Sequence, residues 1–162
     1  MAPTPTGTLR STDSGFALEL SRTIAAPRED VWARLTESSR TALWFGPWER
    51  LSDDTIRVTM SFEEGAPASD MSVEACEPPR RLAVRTIGEM QWPLDVSLED
   101  NDGSTVLVLV HSCETTDGVG DIGPGWEYYL DMFVAAGHGD PLPTFDDYYP
   151  SQREYYSTLR PQ

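Results

Sequence analysis

Hydrophobic and polar residues alternate along most of this chain with the two-residue period of β-strands, interrupted by a few stretches with the period of a helix. In GFALELSRTIAA, Phe16, Leu18 and Leu20 alternate against Ala17, Glu19 and Ser21, which predicts a half-buried strand. PREDVWARL then predicts a short helix. Pro27 suits its first position, Glu29 and Asp30 favour the positive end of the helix dipole, and Val31, Trp32 and Leu35 share one face. SSRTALWF predicts a second short helix, capped by Ser38 or Ser39, with Leu43 and Trp44 turned inward and Gly46-Pro47 as its stop.

From Trp48 to Glu114 there is no helical period, only strand-like segments parted by turn residues. TIRVTMSF alternates Ile56, Val58, Met60 and Phe62 against Thr55, Arg57, Thr59 and Ser61, a strand with one buried face. MSVEACE ends at Pro78-Pro79, RLAVRTI at Gly88, WPLDVSLE at the Asn101-Asp102-Gly103 turn and STVLVLVHSCE at Asp117-Gly118. Such hairpin spacing predicts an antiparallel meander.

A last, long helix is expected from near Pro124 or Gly125 to near Gly137. Trp126, Tyr129, Leu130 and Phe133 share its core-facing stripe, and Glu127 and Asp131 face away. Beyond it runs an aromatic, Pro-containing tail, with Ser151 to Leu159 able to form a final helical turn or two. Phe145, Tyr148, Tyr149, Tyr155 and Tyr156 predict that this tail is ordered, docked on its own domain or on a second subunit, because exposed rings forgo the gain of burial. The expected organisation is a polar lead-in at 1–13, one domain at 14–139 and the tail at 140–162.

Bulk numbers narrow the function. A length of 162 residues with 39% hydrophobic content suits a single core. The net charge of -15 argues against nucleic acid and anionic membranes as partners. There is no apolar run long enough to span a bilayer and no secretory signal pattern, so the expected location is cytoplasmic. Cys76 and Cys113 have the number and spacing of neither a disulfide framework nor a zinc site, and read as small half-buried thiols. The 12 basic residues are all arginine, which removes Schiff-base, P-loop and general-base lysines. No cofactor and no metal are expected.

Gly118-Val119-Gly120-Asp121-Ile122-Gly123 matches the dinucleotide fingerprint G-x-G-x-x-G after a strand and before a helix. No parallel strand follows, however, and Asp117 and Asp121 would oppose a pyrophosphate. We read these glycines as a hinge. The pairs Asp53-Asp54, Glu63-Glu64 and Asp146-Asp147 read as solvated charge. His138, at a helix end, compensates the dipole. His111 is in register with Leu107 and Leu109, which leaves two readings open: a core histidine satisfied by a neighbour, or an imidazole that meets a ligand or acts as acid or base.

The order of strand, two short helices, antiparallel meander and long C-terminal helix resembles the helix-grip fold of the START-like (SRPBCC) superfamily. IAAPREDVWARLTESSRTALWFGP, CEPPRRL, STVLVLVH and GWEYYLD resemble the corresponding segments of the heat-shock protein 90 ATPase activator-like family of small bacterial proteins. The ordered set covers the chain from about Gly15 to His138. The resemblance implies an α+β fold in which a curved antiparallel sheet of about six or seven strands wraps around the long helix. It also implies a cavity, which in relatives binds lipids, hormones or polyketide-like molecules. The lining would come from Trp44 of the second helix, Met60 and Phe62 of one strand, Trp92 of another, Leu107, Leu109 and His111 of the last strand, and Trp126, Tyr129, Leu130 and Phe133 of the helix.

The leading function is therefore binding of a small apolar or amphipathic molecule. The alternatives are a cyclase, hydrolase or dehydratase using the same cavity with His111 as acid or base, and a protein acting on a chaperone ATPase through its outer surface. A homodimer is compatible with all three. A polar partner for His111 discriminates the first two, since an isolated imidazole favours binding alone.

Overall fold

The computed structural model describes residues 3–89 and 91–162, so the first two residues of the lead-in lie outside the described residues. The elements are β1 (Thr8–Thr12), β2 (Gly15–Ile24), α1 (Arg28–Thr36), α2 (Ser38–Thr41), β3 (Trp48–Arg50) and β4 (Thr55–Thr59). They continue with β5 (Ala68–Glu77), β6 (Arg81–Thr86), β7 (Pro93–Asn101), β8 (Ser104–Cys113), α3 (Val119–His138), a 3-10 turn (Phe145–Asp147) and α4 (Arg153–Ser157). The fold is α+β, with an open antiparallel sheet and a long C-terminal helix. Among the described residues the sheet has eight strands, in the order β1-β2-β8-β7-β6-β5-β4-β3. That exceeds the expected six or seven, because the polar lead-in contributes β1 and the three-residue β3 is too short to show a period. The chain divides into two compact units, residues 1–21 with 109–162, and residues 22–108.

In the unit of residues 22–108, Val31, Val58, Met71, Leu94, Leu98 and Leu107 are buried. Successive β-residues point to opposite faces, so β4 buries Val58 and puts Arg57 outside; β6 carries Arg81 and Arg85 on one face, and carboxylates from neighbouring strands meet all three. Arg57 lies directly opposite Asp70 and holds it through two hydrogen bonds of 2.7 and 3.0 Å. Arg81 reaches Asp95 at 2.6 Å and Arg85 reaches Glu74 at 3.0 Å. Two expectations fail here. Leu43 is 57% exposed rather than inward, because α2 is a single turn ending at Thr41 and the chain unwinds beyond it. The strand expected to run through Phe62 stops at Thr59, whose carbonyl is approached so closely by Gly46 that a side chain there would collide with it. Met60 and Phe62 consequently lie beyond β4, with Phe62 in the turn that follows.

In the other unit, β1 and β2 form a hairpin with Leu9 opposite Leu18. α3 is longer than its sequence suggests, beginning at Val119 rather than near Pro124. Gly120, Gly123, Pro124 and Gly125 are poor helix formers, so this first stretch depends on packing rather than propensity. The packing is visible. A Cβ at Gly120 would collide with Ser157 Oγ, and one at Gly123 would enter the ring of Tyr156. The glycines are thus a close-approach surface for α4 and not a hinge. Gly118 alone has the backbone role expected of glycine, with φ of 83° at the helix start. At the other end Gly139 adopts φ of 72° and Asp140 N–H returns to Ala135 O at 3.0 Å, closing the helix after the exposed His138.

The residues after α3 cover a second side of it. Tyr148 and Tyr156 are buried to 2% and 1% exposure, worth about 1.5 to 3 kcal/mol each as apolar burial. Tyr148 OH donates to Asp131 Oδ2 at 2.7 Å. Phe145 sets its edge against Tyr128 at 5.4 Å and stacks on Tyr149 at 5.8 Å, while remaining 41% exposed. Glu127 and Asp131, expected to face away from the Trp126 stripe, meet the tail tyrosines. Glu127 is 1% exposed, enclosed by the tail and the leading segment.

Candidate functional site

His111 sits near the end of β8 with its side chain inward, 2% exposed, because it follows the same alternation that buries Leu107 and Leu109. Trp126, about two turns into α3, donates its indole Nε1–H to His111 Nδ1 at 2.9 Å, and the two rings meet edge to face with centroids 6.1 Å apart. An indole nitrogen is only a donor, so this contact fixes the neutral tautomer with the proton on Nε2. Burial acts in the same direction and lowers the imidazole from its ordinary 6.5 to about 4. Tyr129 continues the aromatic row 6.3 Å from Trp126, and Leu130 and Phe133 are buried further along the helix. In this unit the structure brings together His111, Trp126 and Tyr129 of the sequence-derived set.

The remaining expected lining residues belong to the unit of residues 22–108. Leu107 is buried at 1% exposure, and Trp44, Met60 and Trp92 are half-buried. Phe62, at 36%, is exposed. Trp44 is pinned by its indole N–H to Arg34 O at 3.1 Å, and Trp48 is held likewise to Thr36 O at 2.8 Å, so the carbonyls at the end of α1 position both indoles. Trp92 N–H is anchored on Thr86 Oγ1 at 2.7 Å. Among the described residues no group of three or more His, Cys, Asp or Glu side chains is arranged to hold a metal.

Sequence reasoning missed a second polar constellation, centred on Glu127. Thr6 donates to it twice, from its N–H and, at 2.9 Å, from its hydroxyl, and Tyr156 OH donates at 2.8 Å. Burial, followed by the charge of Glu127, pushes the Tyr156 phenol up, so it stays protonated as the donor. The signal in the sequence was the tail itself. Buried tyrosines need partners for their hydroxyls, and an aromatic tail needs a helix face to cover.

An open antiparallel sheet with two short helices after its first long strand and a long C-terminal helix defines the START-like class of domains. Residues 25–137 match the family described as Activator of Hsp90 ATPase homolog 1-like protein, and the chain belongs to that family. No curated protein matches it. Among solved structures, CalU16 from Micromonospora echinospora is 22% identical, covering 98% of each chain with a TM-score of 0.76. DynU16, of the dynemicin biosynthetic locus, is 22% identical over 83% of this chain and 51% of its own, with a TM-score of 0.68. The Aha1 dimer from Colwellia psychrerythraea is 20% identical over 74% of this chain and 94% of its own, with a TM-score of 0.62. At these identities the likeness is one of fold. No helix among the described residues is long and apolar enough to cross a membrane.

Proposed function

We propose that the protein binds a small apolar or amphipathic molecule against the α3 face that carries Trp126, Tyr129, Leu130 and Phe133, beside His111. The observation that carries this reading is the His111–Trp126 pair: a desolvated, neutral imidazole held by a donor, set among aromatic rings. Apolar and aromatic side chains with a polar group among them are the usual lining of a ligand site. Family membership agrees with it. His111 thus has the polar partner that bears on the choice between binding and catalysis, but that partner is a donor only, which orients the ring and cannot accept its proton.

Native mass spectrometry of the purified protein tests the reading. The expected result is a species heavier than the chain by a small-molecule mass that is released on denaturation. The bare chain mass, both as purified and after incubation with a lipid and metabolite extract, would overturn it.

A further inference from the structure

The residues before β1 are held by an unusual set of bonds: side chains of α3 and the tail address the main chain of the leading segment. Gln152 Nε2 donates to Pro3 O at 2.8 Å, and Thr6 N–H donates to Glu127. Gly7 N–H donates to Tyr156 OH at 3.0 Å, and Tyr155 OH donates to Gly7 O at 2.8 Å. Just inside β1, the main-chain N–H of Gln162 donates to Leu9 O at 2.8 Å. Among the described residues the Thr6 hydroxyl is read directly by Glu127, and the Leu9 side chain is buried. Gly7 is read by its lack of one, since a Cβ there would collide with Tyr156. Tyr156 therefore lies between two glycines, Gly7 of the segment and Gly123 of α3.

Main-chain bonds for affinity, with one or two side-chain positions tested for size and polarity, are how grooves recognise extended peptides. We propose that the face formed by α3 and the tail is a peptide-recognition groove, filled in cis by Pro3–Leu9 and selecting a Thr-Gly step. This concerns a different set of side chains from the His111–Trp126 surface and does not depend on the ligand reading. The groove's key groups are all enclosed: Glu127 and Tyr156 at 1% exposure and Gln152 at 2%. The cis occupant does not satisfy the groove fully. Gln152 Oε1 is buried with no hydrogen-bond partner among the described residues, and Pro3 and Pro5 carry no N–H to offer it. A segment of another chain with Thr-Gly at its centre and a free N–H near the Pro3 position would make the same bonds and one more. Covalent attachment favours the cis segment only through its effective concentration, of about millimolar order.

The test uses the full chain carrying Gly7→Ala, with hydrogen exchange measured over residues 145–159 and a synthetic peptide of residues 3–12 added at millimolar concentration. Gly7→Ala is expected to raise exchange in that stretch by about tenfold or more, as the segment leaves its groove. The peptide should restore protection, and the same peptide with alanine at the Gly7 position should not. Thr6→Val, which removes one hydroxyl and leaves the backbone undisturbed, provides a milder version of the same experiment should Gly7→Ala fail to fold. Unchanged exchange in the variants would overturn the proposal, and so would lost protection that the added peptide does not restore.

Discussion

Trp126 and Glu127 are neighbours in α3 and meet opposite environments. Trp126 turns to His111, where an indole N–H meets an uncharged imidazole. Glu127 turns to the leading segment and Tyr156, where a buried carboxyl group collects donors from residues far away in sequence. The difference shows two ways of burying a titratable group. The histidine escapes the cost of desolvation by giving up its proton, whereas the glutamate is surrounded by hydrogen-bond donors. The first sets two aromatic rings edge to face around one N–H to nitrogen hydrogen bond. The second uses many bonds to fix a helix face in place.

The strongest way to break this contrast is Glu127→Ala, which strands Thr6 N–H and Tyr156 OH in the interior. A loss of about 3 to 5 kcal/mol in urea unfolding is expected, and a loss below 1 kcal/mol would mean the network holds little. On the other side of the contrast the expected effect depends on pH. Unfolded His111 binds its proton near 6.5 and folded His111 only near 4. The histidine's contribution is therefore complete above pH 6.5 and disappears as pH falls through 4. About 3 kcal/mol of stability should be lost across that window, and a His111→Phe chain should lack this part of the acid dependence. Equal pH slopes for the two proteins between 4 and 6.5 would remove the burial argument.

Gly123→Ala sharpens the second half of the comparison. Helix propensity alone would make it stabilising by about 1 kcal/mol, but collision with Tyr156 should convert this to a loss of about 1 to 3 kcal/mol. A stabilised variant would show that α4 can move aside. The smallest effect is expected at Asp70→Ala on the exposed ribbon, although the Arg57 hydrogen bond holds that carboxyl below its usual range. Solvent-exposed pairs contribute little, so its Tm should change by about 2 °C or less.

Where partners are local, the sequence was informative. The alternation in Ile56 and Val58, the turn at Asn101-Asp102-Gly103 and the run Leu107, Leu109, His111 each depend on neighbours a few residues away, and these strands and their faces appear in the fold. β1 escaped notice because TLRST has no apolar alternation and gains its place by pairing with β2. The start of α3 escaped because Gly120, Gly123 and Pro124 read as breakers, and only α4 explains them. Helical geometry alone placed Glu127 away from the core-facing stripe and gave no sign of its burial. Its partner Thr6 is 121 positions distant, and no period within a helix carries that information. Of the candidate site, the register of His111 and the stripe containing Trp126 were legible, but the hydrogen bond joining them required the fold.

The most direct test of ligand binding follows Trp126 itself. Two-dimensional NMR of the indole N–H groups, with Trp126→Phe to assign the resonance among the five tryptophans, would be recorded while the neutral probe 1-aminoanthracene is added. A saturable shift of the Trp126 indole, accompanied by the His111 ring, is the expected result. Saturable binding that leaves both resonances unmoved, or no binding at all, would contradict the account.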